Sequence, residues 1–272
     1  MTAIAVPSYR VADERTPFSQ AVGDALTVAW RNLIGLFRTP TTLVFSTIQP
    51  VIFVLMFRYV FGGAIQGSLP QGVPYVNFLM AGIFVQTVVF GAMNTGVGLA
   101  TDLQLGLIER FRSLPMARSA VLAGRTLADS VRNLCVIILM VIVGFLVGFR
   151  LETNALALLA AIGILLVFGL AMSWLMALIG LATGNPEAAQ AAAFPFMALL
   201  VFASSAFLPT DTMPAALQAY ADHQPVSATA NAVRALLIGG PTGGQVLSAL
   251  IWCFGITAVF ATLAVRRYRK TA

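Results

Sequence analysis

From Leu43 to Gly62 the chain runs for twenty residues with a single charged side chain, Arg58, and five further stretches repeat the pattern. A helix needs about 20 predominantly apolar residues to cross the ~30 Å hydrocarbon layer of a bilayer. The six runs that meet this length are Leu43–Gly62, Tyr75–Leu99, Ser119–Phe149, Ala155–Thr183, Ala188–Leu208 and Gln245–Val265. Only 10% of residues are charged, against roughly a quarter in soluble domains. The expected fold is therefore an all-α integral membrane protein with six transmembrane helices. The third run is longer than a span needs, so its first turns should lie below the membrane. Pro50 and Pro195 fall inside spans one and five and should kink them, which membrane helices tolerate.

Basic residues set the orientation. The net charge of +6 comes from fifteen arginines and Lys270 against ten acids. In a soluble chain such a balance would suggest nucleic acid; here the apolar runs assign it to the anionic face of a membrane, and no nucleic-acid partner is expected. Arg10, Arg15, Arg31 and Arg38 precede span one, and Arg110, Arg112, Arg118, Arg125 and Arg132 occupy the second loop and the start of span three. Arg266, Arg267, Arg269 and Lys270 close the chain, whereas the other loops hold only Arg150 and Arg234. The positive-inside rule places both termini and the second loop in the cytoplasm. The first residues lack an apolar h-region, so no cleaved signal is expected. Cys135 and Cys253 lie within apolar runs and imply no disulfide framework. The layout expected is a cytoplasmic N-terminus over 1–41, a transmembrane domain over 42–266 and a basic tail over 267–272.

Three segments carry more than topology. In "TPFSQAVGDALTVAWRNLIGLFR", Thr16 and Pro17 provide a helix start. Wound at 100° per residue, Gln20, Asp24, Thr27, Arg31 and Arg38 share one sector while Phe18, Val22, Leu26, Ala29, Leu33 and Leu36 lie opposite. This pattern predicts an N-terminal interfacial helix. In "TDLQLGLIERFRSLP", Leu103, Leu107, Phe111 and Leu114 align on one face of a short helix that Pro115 ends, with Arg110 close to that face and the charge of the segment directed at the cytosol. Between spans five and six, "PTDTMPAALQAYADHQPVSATANAVRALLIGGPTGG" is too long and too apolar for a simple loop. It predicts an external or re-entrant hairpin of two helices, Pro214–Asp222 and Ser227–Ile238.

Catalytic chemistry is missing from the sequence. His223 is the only histidine, which removes any two-histidine metal site. "GGPTGG" is followed by no Lys-Ser/Thr pair, and no lysine precedes Lys270, so a Walker A site cannot form. A carrier coupled to protons or sodium should hold an ion ligand near the midplane. Asp102, Asp129, Glu152 and Glu187 read as span-end residues, and Arg58 lies near the outer end of span one, where it can snorkel. The energy source should therefore lie in another molecule.

The stretches "ERFRSLPMARSAVLAGRTLADSVRNL" with "GFLVGFR", and "FASSAFLPTDTMPAALQAYADHQPVSATANAVRALLIGG", resemble ABC-2 type transporter permeases, especially their bacterial daunorubicin-resistance branch. The similarity extends over nearly the whole chain from Phe18. It implies a bacterial inner-membrane half-transporter paired with a second permease subunit and with a separate ATP-binding-cassette ATPase, which binds the ATP and Mg; no cofactor is implied for this chain itself. By this resemblance the helix Leu103–Leu114 is a coupling helix. Leu107, Glu109, Arg110, Phe111 and Arg112 would dock the ATPase, flanked by Asp24 and Arg31 of the N-terminal helix and by Glu187 in the turn "GNPE". Pro209, His223 and Pro225 would belong to the external gate.

Few large amphipathic aromatics (Trp174, Trp252, Tyr59 and Tyr75) lie in or near the spans, which leans the substrate towards a hydrophobic drug, polyketide or lipid. An ATP-independent secondary carrier or channel is the alternative, and a membrane-embedded assembly factor a third. An ATPase subunit encoded beside the chain would favour the first reading. The GxxxG pairs Gly144/Gly148 and Gly180/Gly184 serve either dimerisation or packing within one subunit.

Overall fold

The computed structural model describes residues 18–38, 40–69, 73–106 and 118–271, and among them every regular element is helical. In chain order these are α1 (Phe18–Arg38), α2 (Pro40–Leu55), a π-helical segment (Met56–Phe61) and α3 (Gly62–Ile65). Next come α4 (Tyr75–Gln104), α5 (Arg118–Val147), α6 (Ala155–Thr183) and α7 (Pro186–Phe202). The chain ends with α8 (Ala215–Asp222), α9 (Pro225–Ile238) and α10 (Thr242–Thr271). Five stretches are long and apolar enough to cross a membrane: Thr47–Ile65, Tyr75–Gln104, Leu122–Val147, Ala155–Thr183 and Thr242–Tyr268. The chain is a multi-pass membrane protein.

The expected fifth span is divided. Its helix, α7, ends at Phe202, and its 17 residues rise about 25 Å. Of the remaining residues, 203–207 are irregular and buried, and Leu208 is exposed. The last helix also runs on through most of the basic tail to Thr271, with Tyr268 buried.

Local sequence explains the ends. Asn154 caps α6 by accepting from the Ala157 amide at 2.8 Å, and Gly184 ends the helix at φ +62°, a conformation that favours glycine. Asn185 then caps α7 by accepting from the amides of Glu187 and Ala188, with Pro186 at the first helical position. Pro50 and Pro195 both lie inside helices. Downstream of Pro50, span one loosens into the π-helical segment that contains Arg58, a register change of the kind that bends helices.

Helix α4 forms the hub. Every residue from Tyr75 to Val89 is buried, whereas α2, the π-helical segment and α10 keep large apolar side chains such as Ile52, Tyr59, Leu247 and Phe254 exposed. Glycines let its neighbours come close. A Cβ on Gly180 of α6 would sit 2.2 Å from the Gly96 carbonyl oxygen, and one on Gly82 would sit 1.9 Å from that of Ala206. Gly180 thus packs within the chain, Gly144 meets Met80, and Gly148 (φ +105°) and Gly184 lie at helix ends. The buried apolar residues form two clusters: one large, and a smaller one of Leu99, Leu122, Ala177, Leu181, Ala264 and Tyr268 near the end that carries the second loop.

Helix α1 has three faces rather than two. Val28 and Ala29 are buried, Val22, Leu26 and Trp30 form an exposed apolar stripe at i, i+4 and i+8, and Asp24, Thr27 and Arg31 lie between. The buried face lies on α5, where a Cβ on Gly124 would stand 2.5 Å from the Ala25 carbonyl oxygen. Gly180→Val should overpack the α4–α6 crossing and cost about 1–3 kcal/mol, read as a lower melting temperature of the purified protein. Gly163→Ala on the same helix meets nothing within 4 Å and should leave stability unchanged or slightly raised.

Candidate functional site

The second loop is the first place to look for a partner surface. Leu107, Glu109, Arg110, Phe111 and Arg112 lie outside the described residues. The stems of the loop are described, and they correct its expected start. Leu103 belongs to the last turn of α4, which ends at Gln104; a turn follows in which Gly106 adopts φ +66°. A helix beginning at Leu103 is thus excluded, because Leu103 packs against the smaller core. Asp102 of α4 and Arg125 of α5 form an ion pair across the base of the loop. The Arg125 guanidinium lies over Gly98, where any side chain would collide with it.

Asp24 and Arg31 share one face of α1, with an Arg31 Nη donating to Asn32 Oδ1 at 3.3 Å. Glu187 is exposed in the first turn of α7, directly after the Gly184–Asn185 turn.

Deeper between the same stems lies a polar seam. Thr95 Oγ1 donates to Asp129 Oδ2 at 2.5 Å, Arg132 Nη1 stands 3.4 Å from Asp129 Oδ1, and Arg132 Nη2 donates to the Gly91 carbonyl at 2.5 Å. Asp129 lies in α5, seven residues after the start of the apolar stretch Leu122–Val147. Its charge is matched in place by Arg132, which distinguishes it from the lone ion ligand a carrier would show.

Arg132 also lines a cavity of about 520 Å³ walled by α2, α4, α5 and α7. Gln49, Gln86, Asn94, Asn133 and Gln190 supply carboxamides, and the rings of Phe90 and Phe194 stand 6.0 Å apart at 42°. Gln86 is buried, and its Oε1 has no hydrogen-bond partner among the described residues. An apolar groove of about 400 Å³, lined by residues including Ile48, Ile52, Cys135 and Leu139, adjoins this cavity through the shared Val136 and Val51's neighbour Pro50.

At the opposite end the hairpin is anchored rather than laid on the surface. Gln224, Ser227, Asn231 and Arg234 recur at intervals of three, four and three along α9 and face the irregular segment after α7. Gln224 Nε2 donates to the carbonyls of Leu200 and Ala203 at 2.8 and 2.9 Å. Ser227 Oγ accepts from the Ser205 amide at 3.0 Å, and Asn231 Oδ1 accepts from Ser205 Oγ at 3.0 Å. Arg234 donates to Asn231 Oδ1 at 2.7 Å and to the Ser205 carbonyl at 2.9 Å, with its guanidinium 3.6 Å from the centre of the Phe78 ring. Burial lowers its pKa to about 9, so it is still a cation at neutral pH and can engage the ring face.

Sequence reasoning treated Arg234 as a topological charge and missed this stripe, although its helical spacing was visible. Of the expected gate residues, Pro209 precedes a 3₁₀ turn and Pro225 starts α9. His223 is exposed, and its Nδ1 pairs with the Ala219 carbonyl at 2.9 Å.

The sequence model of the ABC-2 type transporter family matches residues 24–238. The chain belongs to the ABC-2 type transporter family. It is 37% identical over 261 residues to daunorubicin resistance ABC transporter permease protein DrrB1 of Streptomyces coeruleorubidus, covering 95% of this chain and 90% of the relative. It is 26% identical over 274 residues to the probable doxorubicin resistance ABC transporter permease protein DrrC of Mycobacterium tuberculosis, covering 96% of each. This ABC-2 permease therefore has relatives of matching length, and the matched region spans α1 to the end of the hairpin.

Replacing Arg234 with Met would remove the donor to the Ser205 carbonyl and leave Asn231 Oδ1 with Ser205 Oγ alone, and should cost about 1–3 kcal/mol. Hydrogen exchange over residues 203–207 should rise. His223→Ala, at an exposed position, should stay within about ±0.5 kcal/mol of wild type.

Proposed function

We propose that this permease is the membrane subunit of an ATP-binding-cassette exporter that moves a hydrophobic drug, polyketide or lipid-like molecule out of the cell. ATP and Mg are bound by a separate ATPase subunit, and a second permease subunit completes the membrane portion. The observation that carries this reading is the 37% identity to a daunorubicin-resistance permease across 95% of the chain. In this reading α7 and the buried segment after it count as the fifth of six spans, and both termini lie in the cytoplasm of a bacterial inner membrane.

The geometry gives the reading a mechanical basis. The second loop leaves α4 and returns on α5, the Asp102–Arg125 pair ties the two stems at its base, and α1 lies along α5. A push on the loop would move both stems together, because separating the ion pair in a partly buried setting is unfavourable. The displacement would reach the Asp129–Arg132 seam and the cavity beside it, which we place on the substrate path. Leu107, Glu109, Arg110, Phe111 and Arg112 are the proposed docking residues, with Asp24, Arg31 and Glu187 on the flanking surface. Pro209, His223 and Pro225 belong to the proposed outer gate, which the α9 stripe holds in position.

Exchanging Glu109, Arg110 and Arg112 for alanine should leave membrane insertion intact while uncoupling ATP hydrolysis by the co-expressed ATPase from export. Drug-stimulated ATPase activity and export from vesicles are the measurements. Wild-type values for both in the triple variant would reject the docking assignment.

A further inference from the structure

Three arginines, Arg58, Arg150 and Arg234, stand at the hairpin end of the bundle, where the charge pattern of the chain leaves few basic residues. Arg234 is accounted for by Ser205, Asn231 and the Phe78 ring. The other two are not. Asp102–Arg125 and Asp129–Arg132 both lie between α4 and α5 towards the second loop, and among the described residues neither Arg58 nor Arg150 has a carboxylate within ion-pair distance. Glu152, two residues beyond Arg150, accepts instead from Asn77 Nδ2 at 2.7 Å.

The backbone places Arg58. Phe57, the residue before it, stacks on Phe207 with ring centroids 4.6 Å apart and planes 5° from parallel, which holds the π-helical segment to the hairpin side. With Phe57 turned inward, Arg58 is carried round to α5, and its Nη2 lies 3.7 Å from where a Cβ of Gly148 would stand. Gly148 follows α5 at φ +105°, a conformation that favours glycine, and offers no side chain to cover the guanidinium. Arg150 folds over the same helix end, donating through Nη1 to the carbonyls of Phe145 and Phe149 at 3.1 and 2.8 Å. Two guanidiniums thus share one helix end, and beside them Tyr59, Val60, Phe61 and Leu146 are exposed. Arg58 makes no hydrogen bond, ion pair or ring contact among the described residues, although it lies inside the apolar stretch Thr47–Ile65.

An unpaired guanidinium facing hydrocarbon is unfavourable, and near a span end it finds relief in the headgroup layer. The group there that matches its planar fork is a phosphate. A zwitterionic headgroup would also bring a second cation towards two arginines, with Glu152 already engaged; an anionic one would not. We propose that Arg58 and Arg150 form a headgroup site for an anionic phospholipid, whose phosphate bridges span one and the end of α5 while its acyl chains lie along the exposed apolar side chains beside them. The lipid is a fixed neighbour on the outside of the bundle, so the site stands independently of what the permease carries.

The test places a fluorescent reporter at the site with Leu146→Trp, an exposed position, in the full chain reconstituted into bilayers. Quenching by acyl-brominated phosphatidylglycerol is compared with quenching by acyl-brominated phosphatidylcholine, and the signal of the parent protein is subtracted to remove the native tryptophans. Phosphatidylglycerol should bind at this position about fivefold more strongly. Arg58→Gln removes no contact within the described protein, so its melting temperature should match the parent while the lipid preference falls to about one; Arg58→Lys should retain part of it. Arg150→Gln, at an exposed residue, should weaken the preference as well. Millimolar glycerol 3-phosphate should leave it intact; its loss under that competition would assign the site to a soluble phosphate and overturn the lipid reading. Equal quenching by the two lipids in the Leu146→Trp protein, or a preference that survives in a folded Arg58→Gln variant, would also overturn the proposal.

Discussion

Helices surrounded by hydrocarbon gain little from burying one apolar surface against another, because lipid already solvates that surface. What holds them is close contact and the pairing of polar groups. In this ABC-2 permease the consequence is concentrated on α4, which is enclosed by its neighbours. Glycines sit where backbones must nearly touch: Gly82 beneath Ala206, and Gly96 against Gly180. Any Cβ at these positions would prise apart two elements that have no other means of approaching so closely. The same rule extends to α1, which reaches α5 over Gly124.

Polar pairing does the rest, and it is distributed unevenly. At the hairpin end the stripe from Gln224 to Arg234 supplies donors and acceptors to a segment, 203–207, whose backbone has left the helical ladder. Irregular buried backbone is tolerable because those side chains satisfy it. Between α4 and α5, Thr95, Asp129, Arg132 and the Gly91 carbonyl form a seam, and the Asp102–Arg125 pair closes the same interface nearer the loop. The smaller apolar core lies at that end, separate from the large one. The α4–α5 interface between the loop and the cavity therefore carries charged pairs beside its apolar packing.

Much of this was legible beforehand. Span four was delimited correctly because Asn154 and Gly184 are local signals acting on adjacent backbone. The two hairpin helices were visible as well, although the second starts at Pro225, two residues before the expected Ser227. The likeness to ABC-2 permeases was carried by two stretches of residues and agrees with the family match over 24–238. Reading failed where a residue's environment comes from another helix. Asp129 was read only as a span-end charge, and its partners Thr95 and Arg132 were not visible in the sequence. Leu103 was assigned to the loop helix on periodicity alone, although Gly106 had already marked where α4 stops. Arg234 looked like a charge of topology alone until Phe78 and Ser205, distant in sequence, surrounded it.

By itself the sequence determined that this chain is helical, crosses a membrane several times, carries its basic charge in one set of loops and lacks a Walker A site. These are properties of local composition and period, and lipid enforces them on any chain with such runs. The tertiary structure decided which helix is the hub, which charges are matched, how the segment after α7 is satisfied, and where carboxamides from α2, α4 and α7 meet around one space. Each of those depends on which faces turn towards one another. A helical period records that a face exists but not what stands opposite it.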